Sequence, residues 1–243
     1  MTALATVGQA LLAAEKTIEV GVHDTVKVGG FTFNIDTIWA TVLAGLIVFG
    51  IGLYMARRAS QGVPSKLQLA FETITDAVQR QVESSMGPVA PFVVPLAVTL
   101  FCFILIANWL ELIPAGEHLK PPTADVNLTF ALAFLVIIWM HVRAIRHKGL
   151  RPYVRHYTTP YKALLPLNLL EELVKPFTLA LRLFGNILSG GIMIALIGLF
   201  PTWLLWLPNA GWKLIDFAIG VIQAFIFALL TILYFGFAVG EGH

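Results

Sequence analysis

Arg182 poses the chemical problem of this chain. It lies within residues 169–191, LLEELVKPFTLALRLFGNILSGG, an apolar stretch with helical spacing that also carries Glu171, Glu172, Lys175 and Asn186. A cation at bilayer depth is costly on every scale, and arginine cannot escape the cost by losing its proton. Two kinds of chemistry use such a permanent charge. One is coordination of a solute or ion inside a transporter or channel. The other is action on ion-binding carboxylates carried by a partner, in an ion-conducting stator. At 3.6 residues per turn, Glu172, Lys175, Arg182, Asn186 and Ser189 fall near one side of the helix with Leu179. Asp216 and Gln223 are seven residues apart and share a face of a later helix. Gly185, Gly190 and Gly191 remove bulk beside Arg182, for close helix approach or for water. Asn108, Glu111, Asp125 and Asn127 gather near the ends of two other spans and, with Asp216, could line a polar inlet.

Simpler roles compete at each position. Glu171 and Lys175 have the i,i+4 spacing of an ordinary surface pair. Arg182 and Asp216 could form a purely structural ion pair. Gln223 could merely join helices, and Asp125 has the position of a helix N-cap.

The elements that must hold these residues are membrane helices. Hydrophobic residues make up 58% of the 243 and charged residues only 12%, far from soluble averages. Several apolar runs reach the roughly 18–20 residues that cross a bilayer core. The expected fold class is an all-α polytopic membrane protein, with about five membrane-embedded helices plus one amphipathic helix on the cytoplasmic surface. It is organised as one membrane domain over residues 1–243: an outer segment 1–34, a first span 35–57, the amphipathic helix 64–86, a span pair 91–142 with an outer loop, a basic cytoplasmic loop 143–162, and a long tilted hairpin 163–239. Within the outer segment, residues 2–16 could form a surface helix and residues 27–35 a small hairpin around Gly29 and Gly30. Residues 164–200 are too long for one perpendicular crossing, about 50 Å against a core of about 30 Å. They must tilt strongly, break or run partly along the membrane, and Pro176 could bend them. Residues 201–211, bounded by prolines, are expected to turn the chain outside.

Orientation follows from basic residues. Arg57 and Arg58 end the first span, and Arg143, Arg146, Lys148, Arg151, Arg155 and Lys162 crowd the loop after the third. Both belong on the cytoplasmic side, which leaves the N-terminus outside and the C-terminus inside. A positive-inside loop explains this stretch better than nucleic-acid binding does, so no nucleic acid is expected. The net charge of +2 decides nothing by itself. The single Cys102 lies in an apolar run and reads as a buried thiol. No nucleophile–base set, metal-ligand spacing or nucleotide motif supports an enzyme, and no bound cofactor or metal is expected. Paired internal repeats of a carrier are absent, and an inert scaffold does not explain Arg182.

Specific motifs then separate the two remaining classes. RLFGN at 182–186 preceded by Leu181, LEELVKP at 170–176, Leu179-Ala180-Leu181, PTADVN at 122–127 and QAFIF at 223–227 stand in the right order along the chain. Together they resemble subunit a of the bacterial F-type ATP synthase, in an actinobacterial flavour, from about residue 36 to residue 236. The resemblance implies a proton-conducting stator, one copy per complex, in the bacterial plasma membrane. Its partners would be the c-subunit ring, subunit b, the remaining ATP synthase subunits and lipid, and the transported ion would be H+. Arg182 would separate two aqueous half-channels, with the long hairpin facing the ring. Asn186 and Gln223 would orient Arg182. Asn108, Glu111, Asp125, Asn127 and Asp216 would belong to the outer half-channel. Glu172, with Glu171 and Lys175, would belong to the cytoplasmic one. The chain departs from the pattern at Gly191, where many members carry an ionisable side chain. Asp216 falls where relatives often carry histidine or an acid, so it is expected to take over that role.

Overall fold

The computed structural model describes residues 25–28, 31–58, 65–86, 93–110, 122–156, 161–201 and 203–239. Strands β1 (Thr25–Val28) and β2 (Phe31–Asn34) pair antiparallel, Thr25 opposite Asn34 and Val28 opposite Phe31. This is the hairpin expected from the two glycines. Among the described residues seven helices follow: α1 (Ile35–Arg58), α2 (Lys66–Met86), α3 (Val93–Leu110), α4 (Val126–Lys148), α5 (Leu150–His156), α6 (Leu165–Ile197) and α7 (Trp206–Val239). Short 3-10 turns at Pro122–Ala124 and Lys162–Leu164 lead into α4 and α6. Five of these helices, α1, α3, α4, α6 and α7, are long and apolar enough to cross a membrane. The expected helix over residues 2–16 lies outside the described residues.

Helix α7 is the centre of the packing, in contact with α2, α3, α4 and α6. The reason is its stripe of small residues. Gly220, Ala224, Ala228 and Thr231 are buried at spacings of four, four and three, with buried Gln223, Phe227, Ile232 and Phe235 beside them on the same face. Small side chains let backbones approach, which is how membrane helices associate without a hydrophobic drive between them. The fit is tightest where α7 crosses α3: a Cβ added at Gly220 would lie 3.3 Å from Cβ of Asn108. The main core joins Ile104 and Phe101 of α3, Val136 and Met140 of α4, Leu179 and Leu183 of α6, and Phe227 and Phe235 of α7. Helix α1 is peripheral, touching α3 through Ala44, Ala107 and Leu110. Helix α2 contributes Val78 to the core and exposes Glu72, Asp76, Arg80 and Glu83. Its first turn is capped by Ser65, whose Oγ accepts from the Gln68 amide at 3.2 Å.

The structure corrects two local expectations and narrows a third. Residues 143–162, expected as a basic loop, are largely helical: α4 continues to Lys148, turns at Gly149 with φ 83°, and α5 takes up the basic run. Arginine and lysine are good helix formers, and cations suit a helix C-terminus. The turn expected over residues 201–211 is shorter, because α7 already begins at Trp206; Pro208 falls in its first turn, where the missing N–H has no partner to lose. Helix α6 does not break at Pro176. Proline there removes only the N–H that would meet the Glu172 carbonyl. At 33 and 34 residues, α6 and α7 are each about 50 Å long.

Candidate functional site

The polar residues divide between the two ends of the helix bundle, with Arg182 between them. One end carries the β-hairpin, the starts of α1, α4 and α7 and the end of α3. The other carries the basic ends of α1 and α4.

At the hairpin end a chain of side-chain bonds ties four elements. Asp125 caps α4, its Oδ1 accepting from the Asn127 amide at 2.8 Å. Its Oδ2 accepts from Nδ2 of Asn34 at 2.6 Å. Thr123 donates through Oγ1 to Oδ1 of Asn108 at 3.0 Å, and Nδ2 of Asn108 lies 3.4 Å from the Gly220 carbonyl. Asn108, Thr123 and Asp125 are all buried. Asp125 and Asn127 face a cleft of about 510 Å3 shared with Asn34, Thr37 and Thr41. Asp216 stands near the start of α7, with Lys213 the charge that acts on it, and its neighbour Phe217 stacks on Trp109 at 4.7 Å. The expected polar group at this end is thus split. Asn108 adjoins the α7 backbone, while Asp125 and Asn127 open between α1 and α4. Glu111 lies outside the described residues.

At the basic end α6 presents a cluster about two to three turns before Arg182. Nζ of Lys175 donates to Oε1 of Glu172 and lies 3.9 Å from Oε1 of Glu171. The Lys175 and Glu172 side chains are only 15% and 19% exposed, whereas Glu171 is 71% exposed. Glu171 is therefore the solvent-facing partner and Glu172 the inward one. Lys175 also sits 5.8 Å from the ring centre of Tyr234 on α7. These four residues, with Asn168, Lys148 and Tyr153, line a cavity of about 270 Å3. The cavity is polar and large enough for several waters.

Arg182 lies beyond this cluster on an exposed face of α6, beside exposed Leu181 and next to buried Ala180 and Leu183. Among the described residues it forms no ion pair, so the alternative of a structural pair with Asp216 is not realised. Tyr234 is within its electrostatic reach. Gly185 follows on the same open face, with nothing within 4 Å of where a Cβ would stand. Gly190, in contrast, is buried. Asn186 is half-buried, and its carbonyl accepts from Oγ of Ser189 at 2.7 Å. Gln223 is buried on α7, and its Nε2 has no hydrogen-bond partner. A buried orphan amide is uncommon and points to a partner outside the folded chain or to bound water.

Sequence reasoning missed Tyr234, Tyr153, Asn168 and His141. Tyr234 stands eleven residues after Gln223, three helical turns along one face, and that spacing was a usable signal. A histidine inside an apolar span, as His141 is, was another. Among the described residues no group of three or more His, Cys, Asp or Glu side chains is placed to hold a metal.

Known proteins share this arrangement of sequence. Residues 38–236 match the family described as ATP synthase A chain. The chain is 57% identical to ATP synthase subunit a of Acidothermus cellulolyticus over 96% of its own length and 86% of the relative's. It is 48% identical to ATP synthase subunit a of Mycobacterium marinum over 93% and 95% of the two chains. The subunit a of Vibrio cholerae is 34% identical over 84% of each. An exposed arginine between two polar ends of a helical bundle with five long apolar helices, the motifs around it and these matches agree: the chain belongs to the ATP synthase A chain family.

Proposed function

We propose that Arg182 separates two offset proton routes, one opening at each end of the bundle, and that the face of α6 and α7 carrying it receives the ring of c subunits. Membership of the family makes this chain the non-catalytic, proton-conducting subunit of the ATP synthase membrane sector. The observation that carries the finer reading is the exposed, unpaired guanidinium in an apolar surface. Leu181 and Ile222 on the two long helices are 55% and 56% exposed. An apolar face with one fixed cation is what a membrane-embedded carboxylate on a partner would meet.

At about 4 Å and an effective dielectric of about 20, Arg182 would favour the ionised carboxylate by about 4 kcal/mol. That is about a thousandfold, enough to strip the arriving group of its proton. The released proton leaves by the Glu172–Lys175–Tyr234 cavity at the basic end. Protons enter from the hairpin end past Asn108 and Asp216. Basic residues at the ends of α1 and α4 put that end in the cytoplasm, and α2 lies along the cytoplasmic membrane surface. Gln223 orients Arg182 by accepting from the guanidinium through its side-chain oxygen.

Two experiments test this reading. Leu181→Cys should form a disulfide with a cysteine placed beside the ring carboxylate when the intact complex is oxidised. A product from Phe49→Cys on α1 and none from Leu181→Cys would put the ring on the other face. For the entry route, Asp216→Asn should lower ATP-driven proton pumping in inverted vesicles by at least about tenfold, the scale of a lost acid–base group. Unchanged pumping removes Asp216 from the path.

A further inference from the structure

Behind Glu172, a lining residue of the cavity at the basic end, stands a side chain that the proton route has not used. His141, on α4, points its ring at Glu172. Nδ1 lies 2.8 Å from the Ile137 carbonyl, one turn back on its own helix. A carbonyl oxygen only accepts, so Nδ1 carries a hydrogen. Nε2 faces Oε2 of Glu172 at 3.6 Å. That oxygen is buried and has no hydrogen bond, because Lys175 takes only Oε1. A neutral imidazole with its hydrogen on Nδ1 would aim a lone pair at a carboxylate oxygen, acceptor against acceptor. One proton on the line between Nε2 and Oε2 removes the conflict and satisfies the orphaned oxygen. The gap is that of a bridging water or a small side-chain adjustment.

We propose that His141 and Glu172 share one transferable proton and form a relay pair beside the cavity. This rests on the proton-route reading above. In the pumping direction, Nε2 takes a proton from a hydronium ion at the exposed edge of the ring, leaving water. The imidazolium passes it to Oε2 of Glu172, and that N–H bond breaks as the O–H bond forms. The carboxyl group then releases the proton toward the ring, and the neutral imidazole keeps its Nδ1 hydrogen on Ile137. The ionisable groups shown beside the imidazole are Glu172 of α6 and Tyr153 of α5, whose ring is 6.0 Å away and edge-on. The cavity that Glu172 lines adds Glu171 and Lys175 of α6, Tyr234 of α7 and Lys148 of α4.

The test uses the intact complex in inverted vesicles, where the bath faces the cytoplasmic surface, with bath pH varied from about 6 to about 8.5. His141→Gln should pump close to the native rate at the acid end. At the alkaline end, where free protons are scarce and a relay matters, it should fall at least about tenfold. On a Glu172→Gln background the same change should add little, since both act on one proton. Loss by a constant factor at every pH, no loss, or full additivity would each overturn the relay. If Gln at 141 blocks assembly, His141→Asn takes its place and the same outcomes decide: a loss confined to the alkaline end supports the relay, and a pH-independent loss or no loss overturns it. Arg182→Ala, run alongside, separates the two levels of the argument. Normal pumping there sinks the proton-route reading itself, whatever His141 does.

Discussion

Vesicles carrying Arg182→Ala should neither pump protons with ATP nor make ATP from a gradient, and their passive proton permeability should rise. The argument is electrostatic. Truncating one partner of a desolvated charge pair costs about 2–5 kcal/mol, about 30-fold to several thousandfold. Here the partner is the carboxylate that must shed its proton, and the loss falls on every step of rotation. Arg182→Lys should not restore coupling, because a compact ammonium lacks the planar fork that meets a carboxylate and can lose its own proton in an apolar setting. The structure argues against a folding explanation for such losses. Arg182 is exposed on the bundle and bonds to nothing among the described residues that its removal would orphan. Immunodetection of the assembled membrane sector, beside proton flux measured with a pH-sensitive dye, checks this. Coupled pumping by a fully assembled Arg182→Ala complex would return Arg182 to a structural role and bring back the transporter or channel class.

Gly220→Leu should remove subunit a from the membrane sector altogether. At this position α7 meets α3 so closely that even a methyl group would press on Asn108 at 3.3 Å. A leucine adds three further carbons into a buried crossing. Overpacking costs about 1–3 kcal/mol even where neighbours can shift. Here the shift also breaks the Asn108 contact to the Gly220 carbonyl and strains the Thr123 bond behind it. Each buried polar group left unmet adds about 1–3 kcal/mol. Gly220→Ala, needing a movement of only a few tenths of an ångström, should keep assembly with reduced thermal stability. The amount of subunit a retained in purified complexes, and its melting in detergent, distinguish the two variants. Native assembly with leucine would show that α3 and α7 can separate at this crossing.

The sequence by itself determined the spans, the family and the central charge. Long apolar runs have one low-energy solution in lipid, the helix, because every backbone group must be bonded within the segment. A fixed cation in such a run stands out for the same reason. The hairpin at Gly29 and Gly30 and the cap at Asp125 were legible too, since turns and caps are decided within a few residues. Tertiary structure decided what depends on which helix faces which. Spacing placed Glu172, Lys175 and Arg182 on one side of α6 with Leu179. The bundle then buries Leu179, half-buries the Glu172–Lys175 pair against Tyr234, and leaves Arg182 open. Spacing gathered Asn108, Asp125 and Asn127 at one end. Packing sends Asn108 to α7 and the other two toward α1. His141 and Glu172 are on helices far apart in the chain, and no periodicity links them. A helical repeat reports the rotation of a residue about its own axis, but the partner across that face is set by crossing angle and translation, which only the packed helices determine.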